Sequence, residues 1–330
     1  MRILFAGSPA IAVPALEAVA AMDGSGFELA GLLTKADSPK GRRGTPEPTE
    51  CAIAAQQLGA RPIPLLKPEK LDGAAREQVA VLKPDILVSF AYGKIFSPQF
   101  LGLFPMGGIN IHPSLLPKYR GATPIPAAIL GREAVTGITI QRLAAEVDSG
   151  DILVQETVPL NGRETTARLS EIMAEKAAAL LPAALRGIAD GSLQGKPQDH
   201  SAATYCSLIE KENGLIDWNR SAVEIDAHIR AFDPWPLSWT RVLKNPVHGD
   251  TAAEEAVQLF ILQAEALENF PPTPPQRPGY VLGKDANKGI LIQTGEGILA
   301  VTKLQYRTKK ALEWKAFLNG SQNFIGVRLG

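Results

Sequence analysis

The sequence predicts an α/β domain built on a mostly parallel, Rossmann-like sheet, followed by a smaller OB-like β-barrel domain. Three observations carry this expectation. The chain opens as strand, helix, strand: an apolar run at 2–6, a Gly7-Ser8-Pro9 turn, an alanine-rich stretch at 11–22 with apolar spacing of three and four, and a second apolar run at 29–34. The segment at 85–91 is apolar with almost no alternation, as suits a parallel strand covered on both faces. Beyond residue 208 the pattern changes to short alternating segments near 237–242, 256–262, 279–282, 289–293 and 297–304, separated by Gly and Pro, which suits a small barrel.

Composition bounds the function classes. The 330 residues, 45% hydrophobic and 21% charged, suffice for two globular domains. Lys+Arg and Asp+Glu both number 34, so the formal net charge is zero and any nucleic-acid binding has to be local. Two cysteines, Cys51 and Cys206, form at most one bridge, which fits a reducing compartment. The N-terminal apolar run is broken by Gly7, Pro9 and Pro14 and followed by Glu17, so it reads as a first strand and helix and not as a signal peptide. No segment approaches the ~20 apolar residues of a membrane span. A soluble cytoplasmic protein is expected.

The remaining elements follow in order. Residues 35–50 are polar, rich in Pro and Gly, and carry Lys40, Arg42 and Arg43 together, as a surface loop does. A helix at 51–58, a strand at 61–65 and a helix at 73–82 precede the buried strand. Tyr92-Gly93, just after it, reads equally as a simple turn or as a wall of a ligand site. The first turn, AGSPAIA, lacks the second and third glycines of G-x-G-x-x-G, which argues against a nicotinamide enzyme. A helix at 126–130, strands at 137–143 and 152–159 and a long helical stretch at 165–189 complete a first domain of residues 1–189. Residues 190–207 are polar and glycine-bearing with no apolar period, and read as a linker. The second domain, 208–330, opens with a helix at 222–232 and the Asp233-Pro234-Trp235-Pro236 corner.

The stretch 108–126 organises the chain. A strand's period of two puts Asn110 and His112 on one face, and Pro113 ends the strand because it lacks the N–H that a ladder needs. His112 is thereby left at the carboxyl end, where open α/β sheets bind ligands. By spacing alone the pair also reads as an ordinary strand-end histidine and a turn asparagine. Further on, the segment 146–153 sets Asp148 in a turn just before another strand.

Together these stretches resemble the folate-dependent formyltransferases, whose signature is Asn-x-His, then SLLP-x-[YW]-[RK]-G, then D-[ST]-G-D-[IM]. Here the matching residues are Asn110 and His112, 114–117, 119–121 and 148–152. From the RILFAGSP start through 231–236 to 295–297 the chain resembles the branch of this family that formylates initiator methionyl-tRNA for translation initiation. The purine-pathway glycinamide branch resembles only the first domain, and bifunctional relatives carry a further catalytic domain for which 330 residues leave no room. The resemblance implies 10-formyltetrahydrofolate as formyl donor, the methionine α-amine of initiator methionyl-tRNA as acceptor, and neither a metal nor a required protein partner.

The residue types fit that chemistry. Amine attack on a formyl carbon creates an oxyanion, which a neutral donor such as Asn110 stabilises, and a cationic nitrogen whose proton His112 can relay under orientation by Asp148. The resemblance makes these three catalytic and sets Ser114, Leu115, Leu116, Pro117, Phe90 and Tyr92 around the folate. It sets Arg42, Lys303, Arg307, Lys309 and Lys310 against the tRNA, although Pro46, Glu47 and Pro48 stand in the Arg42 loop where more basic residues are expected. The rival reading is a nucleic-acid-binding module whose first domain is a non-catalytic ligand sensor. The intact trio argues against it.

Overall fold

The computed structural model describes residues 1–40, 44–58, 62–243, 257–267 and 276–330. The chain divides into two compact units. The first comprises Met1–Ile125, Ala134–Leu160 and Arg168–Ser207, and the second Pro126–Glu133, Asn161–Ala167 and Leu208–Gly330. Among the described residues no helix is long and apolar enough to cross a membrane.

In chain order the elements up to residue 112 are β1 (Arg2–Gly7), α1 (Val13–Ala20), β2 (Glu28–Leu33), a hairpin of β3 (Ser38–Lys40) and β4 (Thr45–Glu47), α2 (Glu50–Gln57), β5 (Leu65–Leu66), α3 (Gly73–Val81), β6 (Ile86–Phe90), α4 (Pro98–Leu101) and β7 (Gly108–His112). Then come β8 (Arg120–Gly121), α5 (Pro124–Leu130), β9 (Val135–Arg142), β10 (Ile152–Pro159), α6 (Thr166–Ala189) and β11 (Tyr205–Cys206). Side-chain oxygens of Thr49 and Asp72 accept from Ala52 and Ala75 N–H and so start α2 and α3.

Seven strands form one sheet in the order β10-β9-β7-β6-β1-β2-β5. Pairings from β7 to β5 are parallel and those of β9 with β7 and β10 antiparallel, so the sheet is mostly parallel as expected. Chain order runs outward from β1 in both directions, which opens a crevice at the carboxyl ends of the central strands. β6 is buried at every position, matching its unbroken apolar run.

Three local expectations need adjusting. The first helix starts at Val13, after a 3-10 turn over Ala10–Ala12, because Pro14 fits only a first helical turn. The strand expected at 61–65 is the short β5, and residue 61 lies outside the described residues. The linker expected at 190–207 is built into the first unit: β11 pairs with β8, Lys196 bridges Ile152, and Gln198 is 6% exposed. Its polar composition has another origin, since these side chains and backbone groups bond to a polar interior.

The second unit adds α7 (Ala222–Ala231), β12 (Ser238–Leu243), β13 (Val257–Leu267), β14 (Val281–Asp285), β15 (Gly289–Gln293), β16 (Ile298–Tyr306), β17 (Leu312–Glu313), α8 (Trp314–Asn319) and β18 (Arg328–Leu329). The sheet order is β14-β15-β16-β13-β12-β18. Its two ends meet: Val281 N–H donates to Val327 O at 2.9 Å and Leu329 N–H to Gly279 O at 2.8 Å. That closure makes a barrel and leaves neither β14 nor β18 as a free edge. Ile225 and Ile229 of α7 pack with Leu259, Ile261, Ile292 and Leu299 in its core, and a Ser221–Glu224 capping box starts the helix.

His228 ties α7 to its surroundings. Its Nδ1 lies 2.8 Å from Ser238 Oγ and its Nε2 2.9 Å from Asn213 O. Burial pushes this imidazole from its ordinary 6.5 down to about 4. Between those values the unfolded chain binds a proton that the folded one refuses, so stability is full above pH 6.5 and falls as pH drops toward 4, by up to roughly 3 kcal/mol. His228→Gln, which does not titrate, should flatten that loss. All four tryptophans lie in the second unit, so urea unfolding followed by tryptophan fluorescence from pH 7 to 4 measures it directly. An acid limb unchanged in the variant would assign the loss to another group.

Candidate active site

Register builds the site. Across β6, β7 and β9, Ser89 pairs with Asn110 and Asn110 with Gln141, while His112 pairs with Thr139. Side chains on adjacent strands at paired positions share a face, so Ser89, Asn110, Gln141, His112 and Thr139 all project from one side of the sheet. His112 stands at the carboxyl end of β7 and is 3% exposed. After β9, the turn to β10 brings Asp148 back over this face.

Asp148 is the hub. Its Oδ1 accepts from Asn110 Nδ2 at 3.2 Å and from Gln141 Nε2 at 2.8 Å. Its Oδ2 accepts from Gly121 N–H at 2.9 Å and faces His112 Nδ1 at 3.4 Å. Only 9% of its side chain is exposed, so these N–H groups stand in for water. Asp148 holds a left-handed backbone (φ 52°), as do Ala91 at the end of β6 (φ 50°) and Tyr119 in the loop before β8 (φ 59°). Two glycines allow the close approach. A Cβ on Gly150 would lie 1.9 Å from Arg142 O, and one on Gly121, whose φ is 111°, 2.3 Å from Cys206 O.

His112 is pulled two ways. Its Nε2 lies 2.8 Å from Tyr119 O, a group that only accepts, so Nε2 carries hydrogen. Burial pushes its pKa below the ordinary 6.5 and outweighs Asp148 and the Tyr119 carbonyl, which both favour the cation. At neutral pH the ring is neutral with Nδ1 bare toward the carboxylate, and a proton arriving there would be received between two partners.

The structure thus brings Asn110, His112 and Asp148 together and treats the other sequence candidates differently. Ser114 is fully buried, its Oγ donating to Lys118 O at 2.7 Å and its carbonyl accepting from Thr139 Oγ1 at 2.7 Å. Leu116 is 3% exposed, its N–H and carbonyl held by Thr139 and Gln155. Leu115 is half-buried over Gly137, and Pro117 is half-buried. Phe90 pairs with Ile111, which puts it on the face opposite Asn110 and His112. Tyr92 packs with Leu4, Leu33, Leu87 and Phe96, and its buried hydroxyl has no partner among the described residues. The structure does not bring Phe90 to the trio, and it sets the Tyr92 ring in the apolar core.

Of the basic residues, Arg42 lies outside the described residues. The other four belong to the second unit. Lys303 is 3.9 Å from Glu313, Lys309 lies over the Tyr306 ring at 5.5 Å, and Arg307, Lys309 and Lys310 are exposed. Arg307 N–H donates to Gln258 O, and Gln258 pairs with Arg241 on β12, so exposed Arg241 joins Arg307 in a row across three strands. Arg241, Gln141, Gln198 and the role of Arg120 emerge only once the strands are paired. Arg120 stood inside the motif, whereas Gln141 and Gln198 carried no local signal.

Comparison with known proteins decides the family. A description of the formyl transferase domain matches residues 1–185, and one of the formyl transferase C-terminal domain matches residues 208–322. The chain belongs to the formyl transferase family. Among this formyl transferase's curated relatives, the methionyl-tRNA formyltransferase of Treponema denticola is 46% identical over 98% of both chains. That of Borreliella burgdorferi is 38% identical over 99% of this chain and 98% of its own. Among solved structures, WlaRD, a sugar 3N-formyl transferase crystallised with dTDP and 5-N-formyl-THF, superposes with a TM-score of 0.63 at 18% identity, covering 94% of this chain and 99% of that one. HypX from Aquifex aeolicus in complex with tetrahydrofolic acid gives 0.63 at 17% identity, covering 98% of this formyl transferase and 48% of HypX. At such identities these two establish a shared fold. The family works with folate derivatives.

The Gly150 contact predicts a cost. Gly150→Ala forces the Asp148 turn off the Arg142 carbonyl, and overpacking of this kind costs about 1–3 kcal/mol. A urea-unfolding midpoint lowered to match is the expected result. An unchanged midpoint would mean that the turn moves without penalty.

Proposed function

We propose that this formyl transferase moves the formyl group of 10-formyltetrahydrofolate to the α-amine of methionine on initiator methionyl-tRNA, giving N-formylmethionyl-tRNA and tetrahydrofolate. The observation that carries the reading is the convergence of Asn110, His112 and Asp148 on one face at the carboxyl end of β7. Full-length likeness to methionyl-tRNA formyltransferases supports the choice of acceptor.

The amine nitrogen attacks the formyl carbon, the bond from that carbon to N10 of the folate breaks, and a proton passes from the amine to the leaving nitrogen. Asn110 is half-buried and gives one amide hydrogen to Asp148, so its second hydrogen can meet the oxyanion. His112, neutral through burial and oriented by the Nε2 bond to Tyr119 O, takes the amine proton at Nδ1, and Asp148 Oδ2 stabilises the imidazolium so formed. The loop 114–117 supports the folate side of the site as a rigid wall, fixed by Thr139 and Gln155.

We assign catalysis to the first domain and the grip on tRNA phosphates to the second, through Arg307, Lys309 and Lys310, with Lys303 and Arg241 beside them. Arg42 serves the acceptor end. The cytoplasm, where translation supplies the acceptor, is the site of action.

Asn110→Ala should lower kcat by ~10²–10³ with modest change in KM, measured as formylation of charged initiator tRNA. His112→Ala combined with Asp148→Ala should cost little more than the worse single change, because the pair acts as a unit. Near wild-type turnover in Asn110→Ala would remove the basis of this mechanism. On the second unit, Arg307→Ala should weaken tRNA binding and flatten its dependence on salt by roughly one unit of logarithmic slope. A slope that stays put would take Arg307 off the phosphate path.

A further inference from the structure

We propose that Arg120, acting through Gln198 and Gln141, fixes the orientation of Asp148 and so forms a positioning device for the formyl-transfer site. The proposal rests on the functional reading above for its rate predictions and on geometry alone for its structure.

Arg120 is 1% exposed, and among the described residues no carboxylate pairs with its guanidinium. A buried cation persists only where its donors are accepted. Gln198 Oε1 takes two of them, from Nε at 3.1 Å and Nη2 at 2.7 Å. Tyr205 Oη and His200 Nδ1 lie at 3.4 and 3.3 Å from the other nitrogen contacts, Nη1 and Nη2.

A guanidinium has donors and no acceptor, so Gln198 must turn its oxygen toward it. Its Nε2 then points the other way, at three oxygens: Gln141 Oε1 at 3.2 Å, Asp148 O at 3.0 Å and Gly150 O at 2.7 Å. Gln141 therefore presents its own Nε2 to Asp148 Oδ1. Neither amide can flip without losing bonds at both ends. The direction of donation runs from a fixed cation to the carboxylate, and aligned bonds of this kind polarise one another. The same Gln198 nitrogen holds the carbonyls on either side of Ser149, so the strained Asp148 backbone and its carboxylate are set by one device.

The alternative is that the chain merely buries Arg120. Two near-isosteric changes in the full-length protein separate the readings, since Gln198 Nε2 keeps two carbonyl partners in both. The charged and titratable groups that face this chain are His112 on β7 and Cys206 beside Asp148, and His200 and Tyr205 against the Arg120 guanidinium. Gln141→Leu removes the donor to Asp148 and should lower kcat about tenfold with KM for charged tRNA held, at every pH. Gln141→Glu can still donate while the two carboxyls share one proton, so its kcat should hold at low pH and fall about tenfold as pH rises and the second charge forms, a limb the wild type lacks.

An NMR titration of His112 reads the same geometry without turnover. In Gln141→Leu it should fall further below its wild-type value, because Asp148 no longer sits squarely against the ring. If the wild type forms no N-formylmethionyl-tRNA but the His112 titration moves as stated, the functional reading fails and the positioning device stands. Turnover within twofold of wild type in Gln141→Leu, no new limb in Gln141→Glu and an unmoved His112 would overturn the proposal and leave the chain a structural one.

Discussion

A carboxylate taken out of water demands donors, and the site is arranged around meeting that demand at Asp148. With 9% of the side chain exposed, the desolvation cost of the charge is offset only if its oxygens are bonded on several sides. The contacts come from β7, β8 and β9: Asn110 and His112 from the first, the Gly121 N–H from the second, Gln141 from the third. Neither β7 nor β9 can slip by one residue without turning its side chains to the far side of the sheet. The parallel core and its register are therefore prerequisites of the chemistry as well as of stability.

Strain gathers at the same place. Three non-glycine residues with positive φ, Ala91, Tyr119 and Asp148, lie at the end of β6, in the loop after β7 and in the turn after β9. Such conformations cost of order 1–3 kcal/mol each and persist only where neighbours over-determine them. For Asp148 the neighbours are visible: its backbone carbonyl and that of Gly150 are both bonded by Gln198, while Gly150 lies against Arg142 O. For Tyr119, Thr204 Oγ1 accepts its N–H at 2.8 Å and His112 Nε2 meets its carbonyl.

Local pattern made part of this legible. Alternation placed Asn110 and His112 on one face, Pro113 ended their strand, and the unbroken apolar run of β6 announced a sheet covered on both sides. What escaped was whatever depends on register or on distant pairing. Phe90 sits two residues before Tyr92 and was grouped with it, yet its pairing with Ile111 turns it away from the trio. Gln141 reads as an ordinary strand residue until β9 is laid antiparallel beside β7. Gln198 meets Arg120 across 78 residues of chain, and no local signal marks such a partner. Its polar surroundings resembled a linker because a buried polar network and a solvated connector draw on the same residue types.

That last confusion matters to anyone dividing the chain. A piece ending at residue 189 would hold Asn110, His112 and Asp148, and every strand of the large sheet. It would lack the segment 190–207, and with it the side chain of Gln198, which gives the Arg120 guanidinium two bonds, and the strand that pairs with β8. Such a fragment would leave the Arg120 guanidinium without its Gln198 acceptor under the reaction centre. The last stretch of the first unit runs through Ser207, eighteen residues beyond the point at which α6 stops.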